Sequence, residues 1–290
     1  MPQQNLTTGL LSGVVILLVW SGFIVFSRAG ILAGLTPFDI AGLRFIVAGI
    51  IILPFAIKWW PRHLPVRIQI LMSAVGPGML NSLLMFIGLS NASAAYAGVF
   101  ANGALPLFTM LISLVVLGER PKAIQIGGAM VIILGGTLVA WRGLDAGGQN
   151  LALGIALFLG AAGLIATYIW LLKFYSVTPR QALAIVNIPN TVIYLPIWLL
   201  FLPTNVTGVP FETVALQAAF QGIGPGFLAV MVFAVMAHHL GATATAGVSA
   251  SVPAVAALLA VPVLGEMPTP IEWAGIAIVT AGLVLMLRAR

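Results

Sequence analysis

LVVLGERP at 114–121 returns, slightly altered, as VPVLGEMP at 261–268. Other marks return at matching places on either side of it. Gly76-Pro77-Gly78 reappears as Gly224-Pro225-Gly226, Thr36-Pro37 as Thr178-Pro179, and Leu53-Pro54 as Leu195-Pro196. Each half reads as five apolar runs of about 20 residues, long enough to cross a hydrocarbon core of about 30 Å. A unit with an odd number of spans enters the membrane in the opposite sense the second time. The sequence therefore predicts an all-α membrane protein of ten transmembrane helices, built as two inverted five-helix repeats, a plan common in secondary transporters.

Composition points the same way. Of 290 residues, 61% are hydrophobic and 6% charged, and the mean hydropathy is +1.15. A soluble domain of this length has no means of burying so much apolar surface. The runs are continuous, without the alternation of a transmembrane barrel strand. There is no cysteine, so disulfides and thiolate metal sites are excluded. The opening MPQQNLTTG has no basic region and runs straight into the repeat, which predicts a retained span and not a cleaved signal. No Walker A, His-Glu-x-x-His or Gly-x-Ser-x-Gly pattern occurs, so ATP hydrolysis, intramembrane catalysis and cofactor or metal chemistry are not expected.

The expected spans are 10–28, 38–57, 68–88, 94–117, 124–141, 151–172, 181–202, 212–237, 243–264 and 271–288. Basic residues decide their direction. With a cytoplasmic N-terminus, Lys58, Arg62, Arg67, Arg120, Lys122, Lys173, Arg180, Arg288 and Arg290 fall on the cytoplasmic side, and only Arg28 and Arg142 outside. Both termini are thus expected in the cytoplasm, at a bacterial-type inner membrane. The same bias explains the net charge of +6 without any nucleic-acid partner. The halves are read as 1–142 and 150–290, joined by the Gly-rich RGLDAGGQN at 142–150.

Polar groups inside a bilayer are costly unless paired or facing a cavity, so they mark candidate sites. Asn187, Asn190, Thr191 and Tyr194 form one stripe on the seventh span. The stripe reads either as a cavity wall or as interhelical glue at roughly 1 kcal/mol per group. Asn81 and Ser82 lie midway along the third span, just past Gly76-Pro77-Gly78. Pro77 and Pro225 read as paired hinges or as static kinks. Tyr96 and Asn102 lie in the outer half of the fourth span. Trp20 lies too deep in the first span for an interfacial belt, and its N–H needs a partner there. Trp170 suits a belt, with Tyr168 near the same end. The expected substrate-binding set is therefore Trp20, Asn81, Tyr96, Asn102, Asn187, Asn190 and Tyr194.

Four further features carry expectations. Arg44 is the one basic residue inside a span; a substrate carboxylate is one partner, but snorkelling to the surface or pairing with Asp39 is the simpler expectation. His238 and His239 read as a polar helix end in preference to a proton-coupling site. Glu119 and Glu266 are expected to cap the helices that follow them. The spacing of Gly128 and Gly135, repeated in Gly275 and Gly282, gives small faces that suit either close packing of the fifth span on the tenth, the preferred reading, or a dimer face.

An ordered set of short motifs runs through the chain. Trp20-Ser21-Gly22, Leu43-Arg44-Phe45 and Asn91-Ala92-Ser93-Ala94-Ala95 come first. Pro106-Leu107, Gly118-Glu119-Arg120-Pro121, Gly127-Gly128 and Gly135-Gly136 follow. The second half answers with Pro253, Gly265-Glu266, and Gly275 to Gly282. In this order, over its whole length, the chain resembles the drug/metabolite transporter superfamily and its ten-helix EamA-type branch. The resemblance implies a small-metabolite exporter with a central cavity between the halves. The YddG-type aromatic amino acid exporters are one such group, and no motif here singles it out. The second half departs from the pattern, with His238-His239-Leu240 opposite Leu89-Ser90-Asn91 and Gly160-Ala161-Ala162-Gly163 in place of a second Trp-Ser-Gly. Such inequality suits an asymmetric ligand.

The expected function is secondary transport of small neutral or aromatic amino acids by alternating access, with the solute and membrane lipid as partners and proton or exchange coupling. Two alternatives stay open. One is export of other drugs or metabolites. The other is a non-transporting receptor, scaffold or lipid-binding protein, whose interior would be packed.

Overall fold

The repeated Thr-Pro pairs are helix starts. The hydroxyls of Thr36 and Thr178 accept the N–H groups of Asp39 and Gln181, whose side chains accept the threonine N–H in return. Each is a capping box with proline in the first turn, where its missing N–H loses nothing. The repeated Leu-Gly-Glu motifs are helix stops. Gly118 (φ 68°, ψ 11°) and Gly265 (φ 68°, ψ 10°) close their helices in the same left-handed conformation, which glycine adopts without steric cost.

The computed structural model describes residues 5–143 and 150–287. Between these starts and stops run ten spans. The first half holds Leu6–Leu32, Pro37–Trp59, Val66–Asn91, Ala94–Leu117 and Ala123–Gly143. The second holds Leu151–Phe174, Pro179–Phe201, Phe211–Gly241, Val252–Leu264 and Pro270–Leu287. Among the described residues nine helices are long and apolar enough to cross a membrane; the tenth, Val252–Leu264, is shorter. Gly241 (φ 75°, ψ 174°) kinks the chain just before the expected run 243–264, and Ser251 divides that run just before Pro253. No strand occurs among the described residues. Residues 144–149 of the Gly-rich join, and Arg288 and Arg290, lie outside them.

Equivalent helices of the two halves meet head to tail. A Cβ on Gly135 would lie 2.8 Å from the carbonyl oxygen of Gly275, and one on Gly282 would lie 2.9 Å from that of Gly128. Backbone therefore touches backbone at both points, and the fifth and tenth spans run antiparallel. The second and seventh spans cross likewise, with Gly42 under the Trp198 ring and Gly49 against Thr191. This antiparallel pairing is the inverted repeat itself, and small residues make it possible where no hydrophobic effect draws helices together. The outer surface is apolar, with Ile57, Leu200 and Phe201 all more than 70% exposed. A bilayer covers such a surface, and water does not. The chain is a multi-pass membrane protein.

One end of the bundle is tied shut by polar contacts between the halves. Arg28 Nε donates to Glu266 Oε1 at 2.8 Å and its Nη1 to Leu89 O at 2.5 Å. The second Glu266 oxygen accepts the Ala94 N–H at 2.9 Å. Asp39 is fully buried and accepts from Trp198 Nε1, Thr204 Oγ1 and the N–H groups of Thr36 and Asn205. Tyr96 donates to Glu272 at 2.8 Å and also contacts Val139 O.

Two expectations are corrected here. Glu266 does not cap the helix after it. It caps the start of the fourth span, in the other half, and pairs with Arg28. The helices after both glutamates are capped by other residues, Gln125 on the Lys122 N–H and Glu272 on the Thr269 N–H. Nor does Arg44 snorkel or pair with Asp39. It is 4% exposed, and the Asp39 oxygens are already filled by four other donors.

Candidate functional site

The third span breaks in mid-course. Helix Val66–Val75 stops, Gly76-Pro77-Gly78 makes a turn with Gly76 and Gly78 in extended conformation, and helix Met79–Asn91 begins. Proline removes a donor and obstructs the preceding turn, so the break leaves backbone groups without helical partners. Asn190 spans it. Its Oδ1 accepts the Met79 N–H at 2.7 Å, and its Nδ2 donates to Ser73 O and Oγ at 3.2 and 3.0 Å. Gly78 is glycine because a Cβ there would lie 2.8 Å from the Asn190 amide carbon. Arg44 supplies the other partner, its Nη2 donating to Pro77 O at 3.1 Å. The eighth span has the matching irregularity, a π-helical segment at Gly224–Leu228 around Pro225. Asn187 Nδ2 reaches Gly226 O there at 3.4 Å.

A cavity of about 510 Å³ lies between these two broken helices. Its deep wall carries Trp20, Phe23, Arg44, Asn81 and Asn102. From there it runs past Tyr168, Asn187 and Phe233 to Val177, Pro179 and Ala237. Pro179 is exposed, so the cavity reaches the surface at the turn between the sixth and seventh spans. None of the residues that tie the opposite end shut lines it. The wall is mostly apolar and aromatic: Trp20 stacks on Phe233 with ring centres 5.3 Å apart, and the Arg44 guanidinium sits 5.6 Å from the centre of the Phe23 ring. A largely apolar concavity with few polar groups is the usual form of a small-molecule site. Among the described residues no carboxylate lines it.

Of the residues expected at the site, the fold brings Trp20, Asn81, Asn102 and Asn187 together on the cavity wall. Tyr96, Asn190 and Tyr194 lie off it. Tyr96 is taken up at the tied end, Asn190 at the helix break, and Tyr194 donates to Phe38 O at 3.0 Å. Thr191 donates to Phe45 O at 2.9 Å. The seventh-span stripe is thus divided, one residue on the cavity and three on neighbouring helices. Depth explains this: the four positions share one face but are spread over about 10 Å along the helix axis, and the bundle offers them different neighbours at each level. Phe23, Tyr168 and Phe233 also line the cavity. Phe23 and Phe233 carried no signal in the sequence, because an aromatic residue on an apolar helix reads as ordinary packing. Arg44 did carry one: a charge within a span marks a functional position by default.

An apolar bundle of paired inverted halves, with a polar-flecked cavity at their junction and one tied end, is the architecture of a secondary transporter. The model of the EamA-like transporter family matches residues 7–141 and again 152–288, and the chain belongs to that family. A protein from Streptantibioticus cattleyicolor named "Probable terminal-alkyne amino-acid exporter" is 28% identical over 187 residues, which span 63% of this chain and 61% of that protein. A solved crystal structure superposes over 99% of both chains with a TM-score of 0.66 at 20% identity, a likeness of fold.

Proposed function

We propose that this transporter exports small neutral or aromatic amino acids across a bacterial inner membrane by alternating access. Both termini lie in the cytoplasm. The observation that carries the reading is the cavity itself, which reaches one end of the bundle only and offers neutral amides and aromatic rings. The exporter named above handles amino acids by its printed name and lends support over the length it shares. Lys58, Arg62, Arg67, Arg120, Lys122, Lys173 and Arg180 gather at the end where the cavity reaches the surface. Arg28, counted against them from the sequence, is occupied by an ion pair within the protein. By the positive-inside rule the accessible end is cytoplasmic, and the state is inward-facing.

In this scheme Trp20, Asn81, Asn102 and Asn187 contact the solute. Tyr96, Asn190 and Tyr194 hold the helices that present it. The two broken spans bend as the halves rock and the tied end opens. With no carboxylate among the described residues on the cavity wall, movement is by facilitated diffusion, exchange or weakly coupled antiport. A cavity of about 510 Å³ weighs against the packed interior of a scaffold. The test is uptake of labelled phenylalanine, tryptophan and threonine into liposomes holding the purified protein, with and without a pH gradient. Saturable uptake that falls on Asn187→Leu supports the reading. Flux equal to that of empty liposomes for all three rejects the amino acid assignment.

A further inference from the structure

The cavity holds a buried cation with unused hydrogen-bonding capacity. Arg44 donates through Nη2 to Pro77 O, while its Nε and Nη1 donate to nothing among the described residues. No carboxylate among the described residues pairs with it: Asp39 is filled by its four donors, and Glu266 holds Arg28. Leaving a buried guanidinium unpaired is costly. The arginine also sits beside a second electropositive feature. The helix Met79–Asn91 restarts two residues after Pro77, in the middle of the span. Asn190 caps the Met79 N–H, but the Leu80 and Asn81 N–H groups find no acceptor among the described residues. The start of a helix carries partial positive charge and free donors, which favour an anion. Pro77 and Asn81 line the same cavity as Arg44.

We propose that Arg44 and the start of the helix Met79–Asn91 form the subsite for the carboxylate of a substrate with an apolar body. The inference rests on the transporter reading above and names the end of the solute that the protein holds. A guanidinium presents two parallel donors to a carboxylate, and the helix start adds backbone donors beside it. An anion there offsets the repulsion between these two like-signed neighbours. The apolar body lies along the stacked Trp20 and Phe233 rings. An ammonium group finds the amide oxygens of Asn102 and Asn187 but no counter-charge. The site therefore requires a carboxylate and tolerates an amine, so an amine without a carboxylate is rejected.

Three probes sharing one benzyl group test this: phenylalanine, 3-phenylpropanoate and 2-phenylethylamine. Their binding to the purified protein is followed by tryptophan fluorescence, for the wild type, Arg44→Lys and Arg44→Gln. The wild type is expected to bind both carboxylates at least about tenfold more tightly than the amine, the difference that one charge-assisted bond supplies. Arg44→Gln should lose that preference, and Arg44→Lys should keep part of it. Thermal unfolding of each variant separates lost binding from lost folding, and the lysine variant keeps the test open if the glutamine variant is unstable. Equal binding of amine and 3-phenylpropanoate by the wild type overturns the proposal. So does an equal change for all three probes in a folded variant, or no binding of any probe. Arg44-dependent binding of 3-phenylpropanoate without phenylalanine upholds the carboxylate subsite and rejects the amino acid reading.

Discussion

Replacing Glu266 by glutamine should loosen the tied end. Glutamine keeps the shape of the side chain and still offers one oxygen to the Ala94 N–H, but it cannot neutralise Arg28. The pair is well shielded, with the side chains 8% and 20% exposed, so solvent does little to make good the loss. A hydrogen bond to a charged partner contributes about 1.5–3 kcal/mol net. Arg28 recovers that loss only in a state where the end opens and water reaches it. The balance should therefore move towards the open form by about 1.5–3 kcal/mol, about 10- to 150-fold in the ratio of the two states. Because the chain has no cysteine, spin labels attach cleanly at Leu32→Cys and Met267→Cys, both exposed and close in sequence to the pair. Double electron–electron resonance then reads the distance across that end. A longer-distance population that grows with Glu266→Gln is the expected result. An unchanged distribution in a folded variant would refute the idea that this pair holds the end shut.

Asn190→Ala removes the clamp across the helix break and strands the Met79 N–H and the Ser73 groups; a loss of about 1–3 kcal/mol is expected, read as a lower melting temperature in detergent. Gly135→Val sets side-chain carbon against the Gly275 carbonyl, where no rotamer relieves it; about 1–3 kcal/mol of overpacking should appear as poor recovery of monodisperse protein on size exclusion. Asp39→Asn swaps an acceptor oxygen for a donor facing donors among its four partners, so about 2–4 kcal/mol of stability should be lost. Thr204→Val removes one of those bonds at the periphery and should cost about 1 kcal/mol, so the two variants rank the cluster in a thermal-shift series.

Periodicity and repetition made the fold legible. Two capping boxes and two glycine stops announce themselves as the same words in the same order, and parity then forces the inversion. The glycine spacing named the contact between the fifth and tenth spans correctly, because backbone contact leaves its own trace in composition. The cavity was half legible. Trp20, Asn81, Asn102 and Asn187 could be picked out as polar or aromatic groups at depth. Asn190 and Tyr194 look the same in sequence, yet they bond to neighbouring helices, and only the packing tells which side of a helix meets space. Glu266 was misread for a related reason. A carboxylate before a proline is an ordinary local cap, and nothing local says that an arginine 238 residues away will claim it. Arg44 was discounted because its depth alone allowed it to snorkel; the burial that prevents this comes from the helices around it.

The glycine contact between the fifth and tenth spans also constrains how the protein is made. The tenth span leaves the ribosome well after the fifth, so the fifth enters the membrane long before its partner exists. Until then the stripe of Gly128, Ile132, Gly135 and Val139, which Gly275 and Gly282 will cover, faces lipid or a chaperone. A chain that stops short of Pro270 never covers it, and proteases that survey unassembled helices should remove such chains quickly. Residues 1–149 and 150–290 produced as separate polypeptides should accordingly be short-lived alone and long-lived together in a pulse-chase experiment. Equal half-lives in both cases would show that each half matures without waiting for the other.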